Sequence, residues 1–237
     1  MPVALITGAS RGIGAATARA LAQAGFDLLL VARSADALEQ LASELRTLGR
    51  HVETAAIDLS CSDAIEAPLQ ALCARLDQPP ALVVNNAGVA YTGPLSAMPL
   101  ERWQWLLQLN LTSVFQICRV VVPLLRGGGG GRIINISSHA ARNAFPDWGA
   151  YCVSKAALAS FSRCLAEEER SHGITVSTLT LGAVNTPLWD SETVDSSFDR
   201  RAMLDPHRVA EAILYMAQQP NTQAVDDLTL MPAAGVL

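Results

Sequence analysis

Short apolar runs alternate along the chain with longer stretches in which apolar residues recur at helical spacing. Val3-Ala4-Leu5-Ile6 is apolar and is closed by Thr7-Gly8; the alanine-rich stretch 13–24 then carries a helical apolar stripe that Gly25 ends. This predicts a strand and then a helix. The pair recurs at 27–32 and 35–48, at 51–57 and 63–76, and at 81–84 with a longer helical stretch at 100–125. After the glycine run 127–131 come a strand at 132–137, a long helix at 150–170 and a strand at 174–180. The stretch 186–203 is polar and turn-rich, and a helix at 206–219 and a strand at 227–230 complete the pattern. Right-handed crossovers put the helices of such an alternation on both faces of a parallel sheet. The predicted fold class is therefore α/β: a single domain, 1–237, with a doubly wound parallel sheet of about seven strands. The glycine run precedes a strand, whereas a phosphate loop follows a strand and opens a helix, so it reads as a helix-to-strand connection.

Half of the 237 residues are hydrophobic and 16% are charged, a balance expected where strands are covered on both faces or where surface is lost to subunit contacts. A net charge of -5 with no basic run argues against a nucleic-acid surface and leaves small molecules as the expected ligands. No charged-then-apolar leader opens the sequence. The apolar stretch 114–125 is interrupted by Gln116, Arg119 and Pro123 and falls short of the roughly 20 residues that span a bilayer, so no membrane segment is expected. The five cysteines, Cys61, Cys73, Cys118, Cys152 and Cys164, form no C-x-x-C pair and have no paired histidine spacing for zinc. Reduced thiols in a cytoplasm, and no bound metal, are the expectation.

The first strand runs into Thr7-Gly8-Ala9-Ser10-Arg11-Gly12-Ile13-Gly14 and then into the first helix. Glycines there permit a tight turn and let backbone N–H groups approach a pyrophosphate at the helix N-terminus. At the end of the second strand an acid would accept from a ribose 2′-hydroxyl, and a base would accommodate a 2′-phosphate. The sequence reads Val31-Ala32-Arg33-Ser34. Ala32 offers no carboxylate, Arg33 can bind a phosphate bidentately, and Arg11 is a second cation in the glycine turn. NADP(H) is expected over NAD(H).

Tyr151 and Lys155 open the long helix four residues apart, hence on one face. The expectation is that the Lys155 ammonium stabilises a phenolate and draws Tyr151 below its unperturbed pKa of about 10. Ser137 and Ser138 end the fifth strand, where ligands of a parallel sheet gather; successive strand residues point to opposite sides, so only one hydroxyl can face the cofactor. The strand alone does not choose between them.

With these motifs in order, the chain resembles the short-chain dehydrogenase/reductase family over essentially its whole length. The turn 7–14 resembles the family's T-G-x-x-x-G-x-G, Asp58 its adenine-contacting acid, Asn85-Asn86-Ala87-Gly88 its N-N-A-G, and Asn110, Ser138, Tyr151 and Lys155 its catalytic set. Family spacing places the serine 13 residues before the tyrosine, which selects Ser138. The resemblance implies a Rossmann topology and gives each catalytic residue a role. Tyr151 is the general acid in reduction, Lys155 also binds the nicotinamide ribose, Ser138 orients the substrate oxygen, and Asn110 holds a proton-relay water. The implied cofactor surface is Gly8, Ser10, Arg11, Gly12, Ile13, Gly14, Arg33, Ser34, Asp58, Leu59, Asn86, Ala87, Gly88, Tyr151, Lys155, Gly182, Val184 and Thr186. Where the family has Pro-Gly before V-x-T, this chain has Leu181-Gly182-Ala183-Val184-Asn185-Thr186, which puts the nicotinamide pose in question. The C-terminus lacks the family's V-D-G-G, so tetramer contacts do not carry over directly.

His139 has no Asp-His-Ser partners and reads as a substrate-loop residue. Cys152 points about 100° away from Tyr151 on a helix and reads as packing. Trp148, Phe145 and Trp189 flank the catalytic segments and are candidates for an apolar substrate pocket, with 186–205 as its lid. The expected function is hydride transfer between NADPH and a ketone, aldehyde or secondary alcohol in a homo-oligomer, dimer or tetramer. Two alternatives remain: an NAD-linked alcohol dehydrogenase, and a catalytically silent NADPH-binding sensor or scaffold.

Overall fold

The computed structural model describes residues 1–235. Its strands are β1 (Val3–Thr7), β2 (Asp27–Ala32), β3 (Val52–Ala56), β4 (Pro80–Asn85), β5 (Gly131–Ser138), β6 (Ile174–Leu181) and β7 (Asp227–Leu230). They form one seven-stranded sheet in the order β3-β2-β1-β4-β5-β6-β7, with every neighbouring pair parallel. The order reverses between β1 and β4, and a crevice opens there at the carboxyl ends of the strands.

The helices are α1 (Gly12–Gln23), α2 (Ala35–Arg46), α3 (Glu66–Cys73), α4 (Leu100–Leu107), α5 (Ser113–Gly127), α6 (Gly149–Glu169) and α7 (Pro206–Ala217). Because strand side chains alternate, β1 sends Ala4 and Ile6 into a core with Leu21 of α1, Leu38 of α2 and Ile213 of α7. Its Val3 and Leu5 enter a second core with Leu69 of α3, Ile117 of α5 and Leu158 of α6. The two cores explain why the central strands read as unbroken apolar runs. Caps set the helix starts: Ser34 accepts from the Ala37 N–H at 3.3 Å, and Asp205 accepts from the His207 N–H at 2.8 Å ahead of Pro206.

Two helices differ from the sequence pattern. The helix expected at 63–76 is shorter, Glu66–Cys73, preceded by a 3-10 turn at Ser62–Ala64. Pro68 sits in the first turn of α3, where its missing N–H is one the helix would leave unpaired in any case, and so it marks a helix start rather than a helix interior. The stretch expected as one helix at 100–125 is α4 and α5 joined by a π-helical turn, Gln108–Thr112. The extra residue in that turn rotates Asn110 inward, leaving it 1% exposed. The joined stretch Leu100–Gly127 has 28 residues and a mean hydropathy of 1.4 in its most apolar window, longer than the apolar pattern implied. By length and composition it would cross a bilayer, yet 61% of that window is buried in the protein, where it covers β4 and packs against α3 and α6.

Candidate active site

α1 begins directly after the glycine turn, and no side chain caps it: Arg11 at the N-cap position is extended and makes no capping hydrogen bond. Its first backbone N–H groups are left for a ligand at the end where the peptide dipoles favour an anion. Gly8 has φ +64°, and a Cβ there would stand 2.9 Å from the Ala87 Cα; a Cβ on Gly14 would collide with the Gly8 carbonyl oxygen. Only glycines let the turn close on the 86–88 segment. Asn86 locks that approach, donating from Nδ2 to the carbonyls of Thr7 at 2.9 Å and Gly8 at 3.2 Å. The Thr7 hydroxyl accepts from the N–H groups of Asn86 and Ala87, each at 3.1 Å.

Gly8, Ser10, Arg11, Gly12, Ile13, Arg33, Ser34, Leu59, Asn86, Ala87 and Gly88 line one end of a cavity of about 1370 Å³. Arg11 and Arg33 are its cations, and no carboxylate among the described residues lines this end. Two residues expected here are set back from the wall. Gly14 packs beneath the turn, and Asp58 Oδ1 accepts from the Ser60 N–H at 2.9 Å and its hydroxyl at 2.7 Å. Burial pushes the Asp58 carboxyl up, but Ser60 and the charge of Arg33 outweigh it and hold the group below its ordinary range. Asp58 thus shapes the loop whose neighbours Ile57 and Leu59 reach the cavity.

At its other end Ser138, Tyr151, Lys155, Gly182, Val184 and Thr186 line the same cavity. Lys155 is 5% exposed, and its Nζ donates to the Ile136 carbonyl at 2.9 Å and lies 5.7 Å from the centre of the Tyr151 ring. β4 has ended opposite Asn135, so the next carbonyl of β5 takes the ammonium instead of a strand partner. The expected depression of the phenol is not what the site produces. Burial pushes Tyr151 up to about 12, with Ser138 pulling it partway back and Cys152 adding to the rise; burial also lowers Lys155 to about 8. The i, i+4 spacing places the pair correctly, but desolvation of each group outweighs their attraction.

Ser138 accepts from the Ala140 N–H at 3.2 Å and turns its hydroxyl toward the phenol. The Ser137 side chain is enclosed, its Oγ without a partner among the described residues. Asn110 does not line the cavity. Its Nδ2 donates to the Val89 carbonyl at 2.9 Å and the Ser154 hydroxyl at 3.0 Å, and its Oδ1 accepts from the Val89 N–H at 2.9 Å. The amide expected to hold a water is committed to clamping the 86–90 loop onto α6.

The segment 186–205 folds over the cavity in two short 3-10 turns, Pro187–Asp190 and Arg200–Ala202. Arg200 clasps it, donating to Asn185 Oδ1 and Asp190 Oδ1 at 2.8 Å each and to the Thr186 carbonyl at 2.9 Å. Trp189 donates from Nε1 to the Val184 carbonyl at 2.8 Å. Phe145, Trp148, Trp189 and His139 border the cavity, and Cys152 does not.

A family model described as short chain dehydrogenase matches residues 2–196. The chain belongs to the short-chain dehydrogenase/reductase family. It is 31% identical over 242 residues to a 3-oxoacyl-[acyl-carrier-protein] reductase of Synechocystis, covering 99% of this chain and 96% of that one. Among solved structures it is similar to a metagenomic short-chain oxidoreductase in complex with NADP, with TM-score 0.85, 33% identity and coverage of 98% of this chain and 97% of that one. It is also similar to an alcohol dehydrogenase from the archaeon Thermococcus sibiricus complexed with 5-hydroxy-NADP, with TM-score 0.89, 31% identity and the same two coverages, 98% and 97%.

As a short-chain dehydrogenase the chain has one local departure that the structure explains. Leu181 extends β6, in register with Ser138 on β5 and Leu230 on β7, and Gly182 donates to the Leu230 carbonyl at 2.9 Å. Sheet pairing therefore holds the strand end where a proline ring would otherwise stiffen it. A Cβ on Gly182 would meet Pro232 at 2.5 Å, so the segment after β7 packs directly onto the Gly182 end of the cavity of this dehydrogenase, and Met231 lines that cavity. Sequence reasoning missed Met231, Trp105, Glu192 and Phe198, all on the cavity wall. Trp105 carried a signal, being a large aromatic on α4 just ahead of the turn that holds Asn110, and Glu192 and Phe198 lie in the segment 186–205 already expected beside the pocket; Met231 reaches the site only through long-range packing.

Proposed function

We propose that this oxidoreductase transfers hydride between NADPH and a ketone or aldehyde, and works on the corresponding alcohol when the cofactor ratio reverses. The observation that carries the reading is that one cavity joins the uncapped start of α1 and two arginines to Ser138, Tyr151 and Lys155. The residues fit an NADP(H) molecule: the glycine turn leaves room for a pyrophosphate, and Arg11 and Arg33 supply charge for a 2′-phosphate. The solved relatives above hold NADP or 5-hydroxy-NADP, which supports the choice.

The bound cofactor supplies the hydride, and the chain supplies position and the proton. A phenol pushed up to about 12 stays protonated at neutral pH, so Tyr151 is ready to donate to a carbonyl oxygen held by the Ser138 hydroxyl. Lys155, charged below about pH 8, stabilises the phenolate left behind. Asn110 acts through position by fixing the 86–90 loop. We further infer a cytoplasmic homo-oligomer, supported by five free cysteines and by Phe115 and Val153 exposed on neighbouring helices α5 and α6; light scattering checks the latter.

Tyr151→Phe tests the mechanism. Turnover of any accepted ketone should fall by about 10²- to 10⁴-fold, the usual contribution of a positioned acid, while NADPH affinity stays within a few-fold. Unchanged turnover would discard Tyr151 as the proton donor.

A further inference from the structure

The aromatic side chains of this protein gather in one place. The chain has five phenylalanines, four tryptophans and three tyrosines, and half of them line a single cavity: Trp105, Phe145, Trp148, Tyr151, Trp189 and Phe198. The two cores are aliphatic by contrast, with Phe26 the one aromatic among their buried residues. Aromatic rings are among the largest apolar surfaces a chain can bury, yet the five besides Tyr151 stay partly exposed along the wall, Phe198 at 37%. A contiguous apolar surface left open in this way marks a place that a ligand covers.

The rings form a series that begins at the phenol. Trp148 meets Tyr151 and Trp189 at centroid distances of 5.7 and 5.6 Å, and Trp189 meets Phe198 at 5.5 Å. Trp189 is fixed within the series, because its Nε1 donates to the Val184 carbonyl at 2.8 Å and leaves only the apolar ring to meet a ligand. At about 1370 Å³ the cavity exceeds the roughly 300–1,000 Å³ usual for one small molecule, so it has room beside a dinucleotide for a second. The polar groups of this half are already engaged. The Thr193 hydroxyl donates to the Ala90 carbonyl at 2.7 Å, the Ser191 hydroxyl lies 3.1 Å from that of Thr193, and His139 Nε2 sits 2.8 Å from the Asn143 amide. Apart from Lys155, no lysine or arginine among the described residues lines this half, and Glu192 is exposed to water.

We propose that the substrate is an uncharged ketone or aldehyde that carries an aromatic ring, its carbonyl at Ser138 and Tyr151 and its ring against Trp148 and Trp189. This rests on the reductase reading above. A ring on the substrate continues the edge-to-face packing that the wall begins and covers apolar surface that the fold leaves open. A carboxylate in the same place would leave water without gaining a cation, and a hydroxyl would give up its bonds to water without gaining a free partner.

Butan-2-one and its 4-phenyl, 4-cyclohexyl, 4-hydroxy and 4-carboxylate derivatives test this, since the variable group stands two carbons from the carbonyl and hardly alters its reactivity. With NADPH, kcat/KM for the phenyl compound should exceed that of butan-2-one by at least about tenfold and that of the cyclohexyl compound by about threefold, with the hydroxy and carboxylate compounds at or below butan-2-one. A smaller excess over butan-2-one, a cyclohexyl compound that does as well as the phenyl one, or a hydroxy or carboxylate compound that outdoes butan-2-one overturns the proposal. In Trp189→Leu the phenyl-to-cyclohexyl ratio should fall to about one, and Trp189→Phe should keep most of it. If Trp189→Leu loses the native circular dichroism, Trp148→Leu reads the same ratio, and a ratio that the leucine variant leaves unchanged also overturns the proposal. If none of the ketones is reduced, the reductase reading fails on its own account. Calorimetric titration of the NADPH-loaded protein with the phenyl and cyclohexyl compounds then decides the ring preference: tighter phenyl binding upholds it, and equal or weaker binding overturns it.

Discussion

Replacing Lys155 with methionine keeps most of the side chain's length and removes its charge. The ammonium is 5% exposed, and burial lowers it from an ordinary 10.5 to about 8. At about 1.4 kcal/mol per tenfold change in proton affinity, holding the charged form inside costs roughly 3 kcal/mol. Below about pH 8 both folded and unfolded chains bind the proton, and the folded state bears that cost in full. Between about 8 and 10.5 the unfolded chain keeps a proton that the folded chain has released, so wild-type stability gains as pH rises. Methionine has no such titration; it leaves the Ile136 carbonyl without its 2.9 Å donor, an offset that is constant with pH. The stability of wild type minus that of Lys155→Met should therefore be flat from pH 6 to 7.5 and climb by about 1.4 kcal/mol per pH unit above about 8. Urea unfolding followed by far-ultraviolet circular dichroism at steps up to pH 10 reads the difference, with other titrating groups cancelling between the two proteins. A difference that stays level across that range would mean the site does not disfavour the ammonium, and the account of both Lys155 and Tyr151 would fall with it.

The same lysine predicts that ketone reduction declines as pH rises through about 8, because the ammonium that stabilises the tyrosine's developing charge is lost; a kcat/KM profile from pH 6 to 10 checks it. Arg33→Ala should weaken NADPH binding by about tenfold or more and leave NADH nearly untouched, and titration with both cofactors finds the role wrong if the preference survives. Arg200→Ala cuts all three bonds that tie Asn185, Thr186 and Asp190 together beside the cavity, so the off-rate of NADPH should rise by about tenfold, the equivalent of ~1.4 kcal/mol. Stopped-flow release reads it, and Arg200→Lys, which keeps the charge but not the fork, should recover only part.

What could be read from the chain, and what could not, divides by the range of the interactions involved. β1 and β2 were legible because burial on both faces demands an apolar run, which is a local property. The glycine turn was legible because α1 must start without a cap and within contact of Ala87, and only glycines allow that approach. The π turn at Gln108–Thr112 was not, since one inserted residue shifts the helical stripe too little to show in its period. Nor was the exit of Asp58, Gly14 and Asn110 from the cavity wall: Asp58 and Asn110 are drawn back by Ser60 and Val89, partners chosen in three dimensions, and Gly14 is packed so tightly beneath Gly8 that a Cβ there would strike its carbonyl. The pairing of Tyr151 with Lys155 shows how the two ranges combine. Spacing along α6 brings the groups to one face, a local fact visible in the sequence. Their proton affinities are set by everything else that closes around them, and that burial drives the phenol up and the ammonium down. The consequence is chemical: in the protein alone the site holds a protonated phenol, which suits donation to a carbonyl, and oxidation of an alcohol needs a further source of positive charge near Tyr151 before the same residue can accept a proton.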